Sequence, residues 1–97
     1  MTHRDRQGQQ IELMEWADLW DNMAYRVVAE GRVGDVLVRT VWEGIDDVPA
    51  AMFATGTSRD GGAHWQTERT DARTEPEARV QHDEVVEDLR RRSGSSK

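Results

Sequence analysis

Cysteine is absent from the 97-residue chain, so disulfides and thiolate metal ligands are excluded at the outset. That absence fits a reducing compartment. No apolar run reaches the roughly 18 residues that a membrane-spanning helix needs. The N-terminal MTHRDRQGQQ carries basic residues without the apolar core of a signal peptide. The expectation is a cytoplasmic protein with no membrane contact. A basic surplus is also lacking: 13 Lys and Arg stand against 19 Asp and Glu, a formal net charge of -6. Nucleic-acid binders need cations to replace counterions on phosphate, so nucleic acid is not an expected partner. Acidity of this size is accounted for by solubility alone.

What is present suffices for one small core. Hydrophobic residues make up 36% of the chain and charged residues 33%, the balance of a single modest domain. Residues 1–10 are polar and include three glutamines, which predicts a mobile tail. The closing SGSSK predicts a second tail over 93–97. The domain is expected over 11–92.

In IELMEWADLWDNM, residues Leu13, Trp16, Leu19, Trp20 and Met23 recur at spacings of three and four. This predicts a helix over about 12–23. Tyr25–Glu30 and Val36–Glu43 are rich in β-branched and aromatic residues and read as strands. Tyr25, Val27 and Ala29 would share one face of the first, and Val36, Val38, Thr40 and Trp42 one face of the second. Gly31 and Gly34 sit in the hairpin between them. GIDDVPA reads as a loop, Ala51–Ser58 as a third strand, and His64–Arg69 as a fourth after the Asp60-Gly61-Gly62 turn. Thr74-Glu75-Pro76-Glu77 is a capping box, with proline tolerated in the first turn. It opens a helix over about 75–91 that Arg90, Arg91 and Arg92 close, where cations complement the dipole. The order α-β-β-β-β-α predicts an α+β fold: a four-stranded antiparallel meander with the N-terminal and C-terminal helices packed on one face.

His82 falls inside the apolar arc of the last helix with Ala78, Val85, Val86 and Leu89. A base or a metal ligand there would need converging partners. The other histidines are His3, in the expected tail, and His64, beside a turn, and Asp83 points about 100° away. His82 therefore reads as a half-buried imidazole that packs against the sheet and hydrogen-bonds once, to a strand carbonyl or a tryptophan. No metal site, cofactor site or catalytic residue is expected. The DGG turn is followed by a strand, unlike a phosphate loop, and no serine sits in a GxSxG elbow. Asp46-Asp47 are adjacent in a loop with no partner acid.

The four tryptophans, Trp16, Trp20, Trp42 and Trp65, are expected to supply the core, with Trp20 the partly exposed one and a candidate anchor for a partner. Asp83, Glu84 and Glu87 form a candidate partner-binding row with Glu77 and Asp88, interrupted by Arg79 and Arg90–Arg92.

The stretch YRVVAEGRVGDVLVRTVWEGID, followed by AMFATGTSRDGGAHWQTERTDARTEPEARVQHDEVVEDLR, resembles a family of small uncharacterised proteins of actinobacteria and their phages. The likeness lies in Tyr25-Arg26-Val27-Val28, in Val41-Trp42, in Met52-Phe53 with its glycine turn, and in the threonine-capped helix bearing Glu77-Ala78, His82 and Val85-Val86. It spans about residues 12–91. Members of that family have a longer Gly/Pro loop between the second and third strands, reduced here to IDDVPA. The resemblance brings no functional residues with it. It implies a small accessory protein of phage or mobile-element origin.

Three functions are consistent with these residues. The first is a non-enzymatic protein that binds another protein through its outer sheet face or its edge strands, with a homodimer through a sheet edge as one form. The second is an acidic decoy that mimics nucleic acid on a host protein. The third is an enzyme that pairs His82 or His64 with a carboxylate.

Overall fold

The alternation in VLVRTVWEGI makes the central strand, and the rest of the sheet is assembled on it. A computed structural model of the protein describes residues 2–46 and 51–94. In chain order the elements are β1 (His3–Arg4), β2 (Gln10–Ile11), α1 (Leu13–Trp20), α2 (Met23–Arg26), β3 (Val27–Val33), β4 (Val36–Ile45), β5 (Ala51–Ser58), β6 (Gln66–Arg69) and α3 (Glu75–Gly94). The fold is α+β, an antiparallel sheet with a long C-terminal helix. The four expected strands pair successively as β3–β4–β5–β6. The sheet has six strands rather than four, because β1 and β2 form a hairpin whose His3 pairs with Ile45 of β4.

That hairpin lies in the stretch read as a mobile tail, and buried donors explain it. Trp42 is fully buried, and its indole Nε1–H must find an acceptor. It donates to the Arg4 carbonyl at 2.8 Å. Arg6 adds a 2.8 Å ion pair with Glu75 and donates to the Tyr25 carbonyl. His3 is buried against Trp16, with ring centroids 4.7 Å apart. At the other end α3 extends through Gly94, beyond the expected 91. Asp47 to Ala50 of the expected GIDDVPA loop lie outside the described residues, while Gly44 and Ile45 belong to β4.

Val38, Thr40 and Trp42 face inward as expected, and all three are buried. The inward row of β5 is Phe53, Thr55 and Thr57, opposite them in register. Ala78, Gln81, His82, Val85 and Leu89 are the buried face of α3, which packs across β3, β4 and β5. In β3 the expected alternation fails. Tyr25 lies in α2, and a register shift between Val27 and Ala29 accompanies the burial of Val28.

The expected first helix is broken in two. Asn22 accepts a hydrogen bond from the Tyr25 N–H through its side chain, so a new turn starts where the old one stops. α1 contacts mainly α2 and β1, and its Trp16 and Leu19 pack against the core cluster that includes Trp42, Phe53 and Ala78. Trp16 is anchored there by donating to the Glu43 carbonyl at 2.9 Å. Leu13, Met14 and Met23 remain exposed.

Candidate functional site

His82 is 6% exposed and sits beneath the sheet. Its partner is neither a carbonyl nor a tryptophan but the hydroxyl of Thr40, with Nδ1 3.1 Å from Oγ1. Thr40 Oγ1 lies 2.6 Å from Thr55 Oγ1, and Thr55 accepts from the Gln81 side-chain amide at 2.8 Å. Gln81 in turn accepts from the Ala72 backbone N–H at 3.2 Å.

The first two links of this chain have a fixed direction. A backbone N–H only donates, so Ala72 fixes the Gln81 oxygen, and the Gln81 amide nitrogen must donate to Thr55. Thr55 Oγ1 has a second lone pair and one proton, so it either donates to Thr40 or accepts from it. Donation gives the Thr55 proton an acceptor and directs the Thr40 proton to His82 Nδ1. In that direction the imidazole is the neutral Nε2–H tautomer. Burial pushes the His82 pKa below its usual value, countered by a smaller upward pull from Asp83 and reinforced by the positive charge of Arg79. No carboxylate bonds to the ring among the described residues, and no group of His, Asp and Glu there converges to hold a metal ion. The chain ties α3 to the sheet and satisfies a buried polar layer. Gln81 was missed in the sequence, where it reads as the polar flank of an apolar stripe. The signal was its adjacency to a histidine facing inward threonines.

His64 does meet a carboxylate. Its Nδ1 is 2.6 Å from Asp60 Oδ2, and its backbone N–H donates to Asp60 Oδ1 at 2.9 Å. Ser58 Oγ donates to the same Asp60 at 2.7 Å and accepts from the Gly62 N–H. These bonds hold the Asp60 carboxyl at about 2, the His64 backbone bond being the largest cause. A serine, an acid and a histidine are thus adjacent, but in an order that does not activate the serine. A nucleophile needs its hydroxyl hydrogen-bonded to the base, and here the acid lies between the two. Ser58 is buried, whereas the His64 side chain is 89% exposed. The cluster closes the β5–β6 turn, and it explains why β6 begins at Gln66 rather than at His64.

The face of the sheet turned away from α3 is different. Arg39, Val41 and Glu43 alternate outward on β4, beside Ala54 and Gly56 on β5. With Met23, Arg26, Trp65 and Thr67 they line an open groove of about 210 Å³. Trp65, not Trp20, is the more exposed tryptophan, at 38%. The Arg39 guanidinium stacks over it at 4.6 Å while its Nε bonds Glu30 at 2.6 Å. Arg26 stacks over the half-buried Trp20 at 3.6 Å and donates Nε to the Trp42 carbonyl. Each guanidinium spends one of its several donors within the fold and is held in place by a ring. Burial raises the Glu43 pKa and lowers that of Arg26, each partly countered by the other's charge.

The acidic row on α3 is not a uniform field. Glu84 pairs with Arg69 at 2.8 Å and Asp88 with Arg92 at 2.7 Å. Glu77 is occupied by the capping box with Thr74 and Arg73. Asp83 and Glu87 are exposed. Asp46, of the adjacent acid pair, binds both Arg4 and Arg73, while Asp47 lies outside the described residues. No helix among the described residues is long and apolar enough to cross a membrane. Set beside known protein families, curated proteins and solved structures, the chain matches none of them.

Proposed function

We propose that the chain is a non-enzymatic accessory protein of the cytoplasm that acts by binding another protein, and that its working surface is the outer face of the sheet. The observation that carries this reading is the groove between Met23 and Trp65. There two large apolar side chains, 49% and 38% exposed, flank a floor of Val41, Ala54 and Gly56. An aromatic fixed beside stacked arginines is the composition of a binding hot spot. The phage or mobile-element origin rests on the resemblance of the strand and helix motifs alone.

The non-enzymatic reading is supported by the position of both histidines. His82 is sealed under the sheet in a chain of neutral donors. His64 orients a turn acid and leaves Ser58 without a base. The decoy reading is weakened by the arginines that pair with Glu84 and Asp88. Asp83 and Glu87 are what remains of its surface.

The test is capture from the native host by tagged protein, comparing wild type with Trp65→Ala and with Asp83→Ala/Glu87→Ala. The expected result is that Trp65→Ala, still folded by circular dichroism, loses a partner that the acidic double variant retains. The reverse pattern would favour the decoy.

A further inference from the structure

We infer that the partner seated on the outer face is a second copy of this chain, packed sheet against sheet in an antiparallel two-fold dimer. This rests on the reading of that face as a protein-binding surface and names its occupant.

Charge complementarity on the outer face identifies the second copy. On β4 the outward row runs Arg39, Val41, Glu43: positive, apolar, negative, with about 7 Å between successive members. Face-to-face packing of two identical sheets requires a two-fold axis lying between them. If the axis runs along the strands, Arg39 faces Arg39 of the second copy. If it runs across the strands over Val41, Arg39 of each copy faces Glu43 of the other. Only the second arrangement pairs opposite charges, so the strand carries its own register.

The neighbouring strands agree with it. Val27 and Ala54 flank Val41 in the same register, so an apolar row lies along the axis. Glu30 lies opposite Arg39 on β3, on one side of that row. On the other side the chain enters α2, where Arg26 sits. The axis that brings Arg39 over Glu43 therefore also brings Glu30 over the end that carries Arg26. The face holds Arg26, Arg32 and Arg39 against Glu30 and Glu43, a near balance that suits a copy of itself better than a strongly acidic or basic partner. Glu43 and Arg26 are partly desolvated, and a counter-charge from a second copy would favour their charged forms.

Edge pairing is the less favoured geometry. Among the described residues the sheet ends in the two-residue β2, in the four-residue β6 with Glu68 and Arg69, and in the seven-residue β3 with Glu30 and Arg32, and short or charged edges resist pairing.

The experiment is sedimentation equilibrium of wild type, Arg39→Glu and Glu43→Arg, alone and mixed. Wild type should rise toward twice 11.1 kDa with concentration. Each single variant places like charges face to face and should weaken self-association at least tenfold. The equimolar mixture should regain it, because one variant then faces the other. Regain on mixing also shows that both variants are folded. As a second measurement, the cysteine-free chain allows Val41→Cys to be cross-linked by a short bismaleimide. It should join copies efficiently, and Arg32→Cys, far from the axis, should not. A monomer at all concentrations, indifference to charge reversal and mixing, or cross-linking from Arg32→Cys alone would overturn the dimer. If the chain stays monomeric while Trp65→Ala still loses a host partner, the binding face stands and only its occupant is wrong.

Discussion

At the scale of single residues, two positions carry more than their size suggests. Gly44 has φ +76° and is buried beside the bulge between Trp42 and Ile45. A Cβ there would overlap the Trp42 ring and lie 2.9 Å from the Arg4 carbonyl. Both the left-handed backbone and the overlap disfavour any side chain. Gly44→Ala should cost about 3–5 kcal/mol, measured by urea denaturation, and a change below about 1 kcal/mol would show that the indole contact is dispensable. His82 is the second. Its folded pKa is lowered from 6.5, so between the folded value and 6.5 the unfolded chain binds more protons than the folded one. Its contribution is complete above 6.5 and is lost as pH falls toward the folded pKa. Stability should therefore drop with acid in that window for wild type, and less so for His82→Gln. Nitrogen-15 shifts of the ring at neutral pH should report a protonated Nε2 and a bare Nδ1. A protonated Nδ1 would mean that the hydroxyl chain runs the other way.

At the scale of elements, legibility in the sequence followed how local each cause was. The C-terminal helix announced itself because its start signal is contained in four residues. Thr74 Oγ1 accepts from the Glu77 N–H at 3.3 Å, and the Glu77 carboxylate turns back to the Arg73 N–H at 3.2 Å. Thr74→Ala should cost about 1 kcal/mol in thermal unfolding, and no change would mean that the packed face alone fixes the helix start. Strand β5 was legible to the residue because turn signals bound it on both sides. The N-terminal hairpin was not. Its order comes from Trp42 and Glu75, 38 and 69 positions away along the chain, and no local pattern in MTHRDRQGQQ reveals that. The split of the first helix hid in Asn22, whose side chain competes with the backbone it would otherwise continue. The inward threonine at position 40 was visible in the alternation of β4, but its link to Gln81 through Thr55 needed the register of two strands.

At the scale of the whole molecule, the sheet divides the work. One face is closed by α3 over an apolar core threaded by the chain from Ala72 to His82, in which each buried polar group meets a partner. The other face is only partly covered and presents Met23, Trp65 and two ring-stacked arginines around small residues. The central claim is that this second face is where the protein meets a further copy of itself. A dilution series of amide nitrogen–proton spectra, from millimolar to micromolar protein, tests it most directly. The shifts should change at Arg39, Val41, Glu43, Ala54 and Gly56 while those of Gln81 and His82 stay fixed. A spectrum that does not change on dilution, or changes that map to α3, would contradict it.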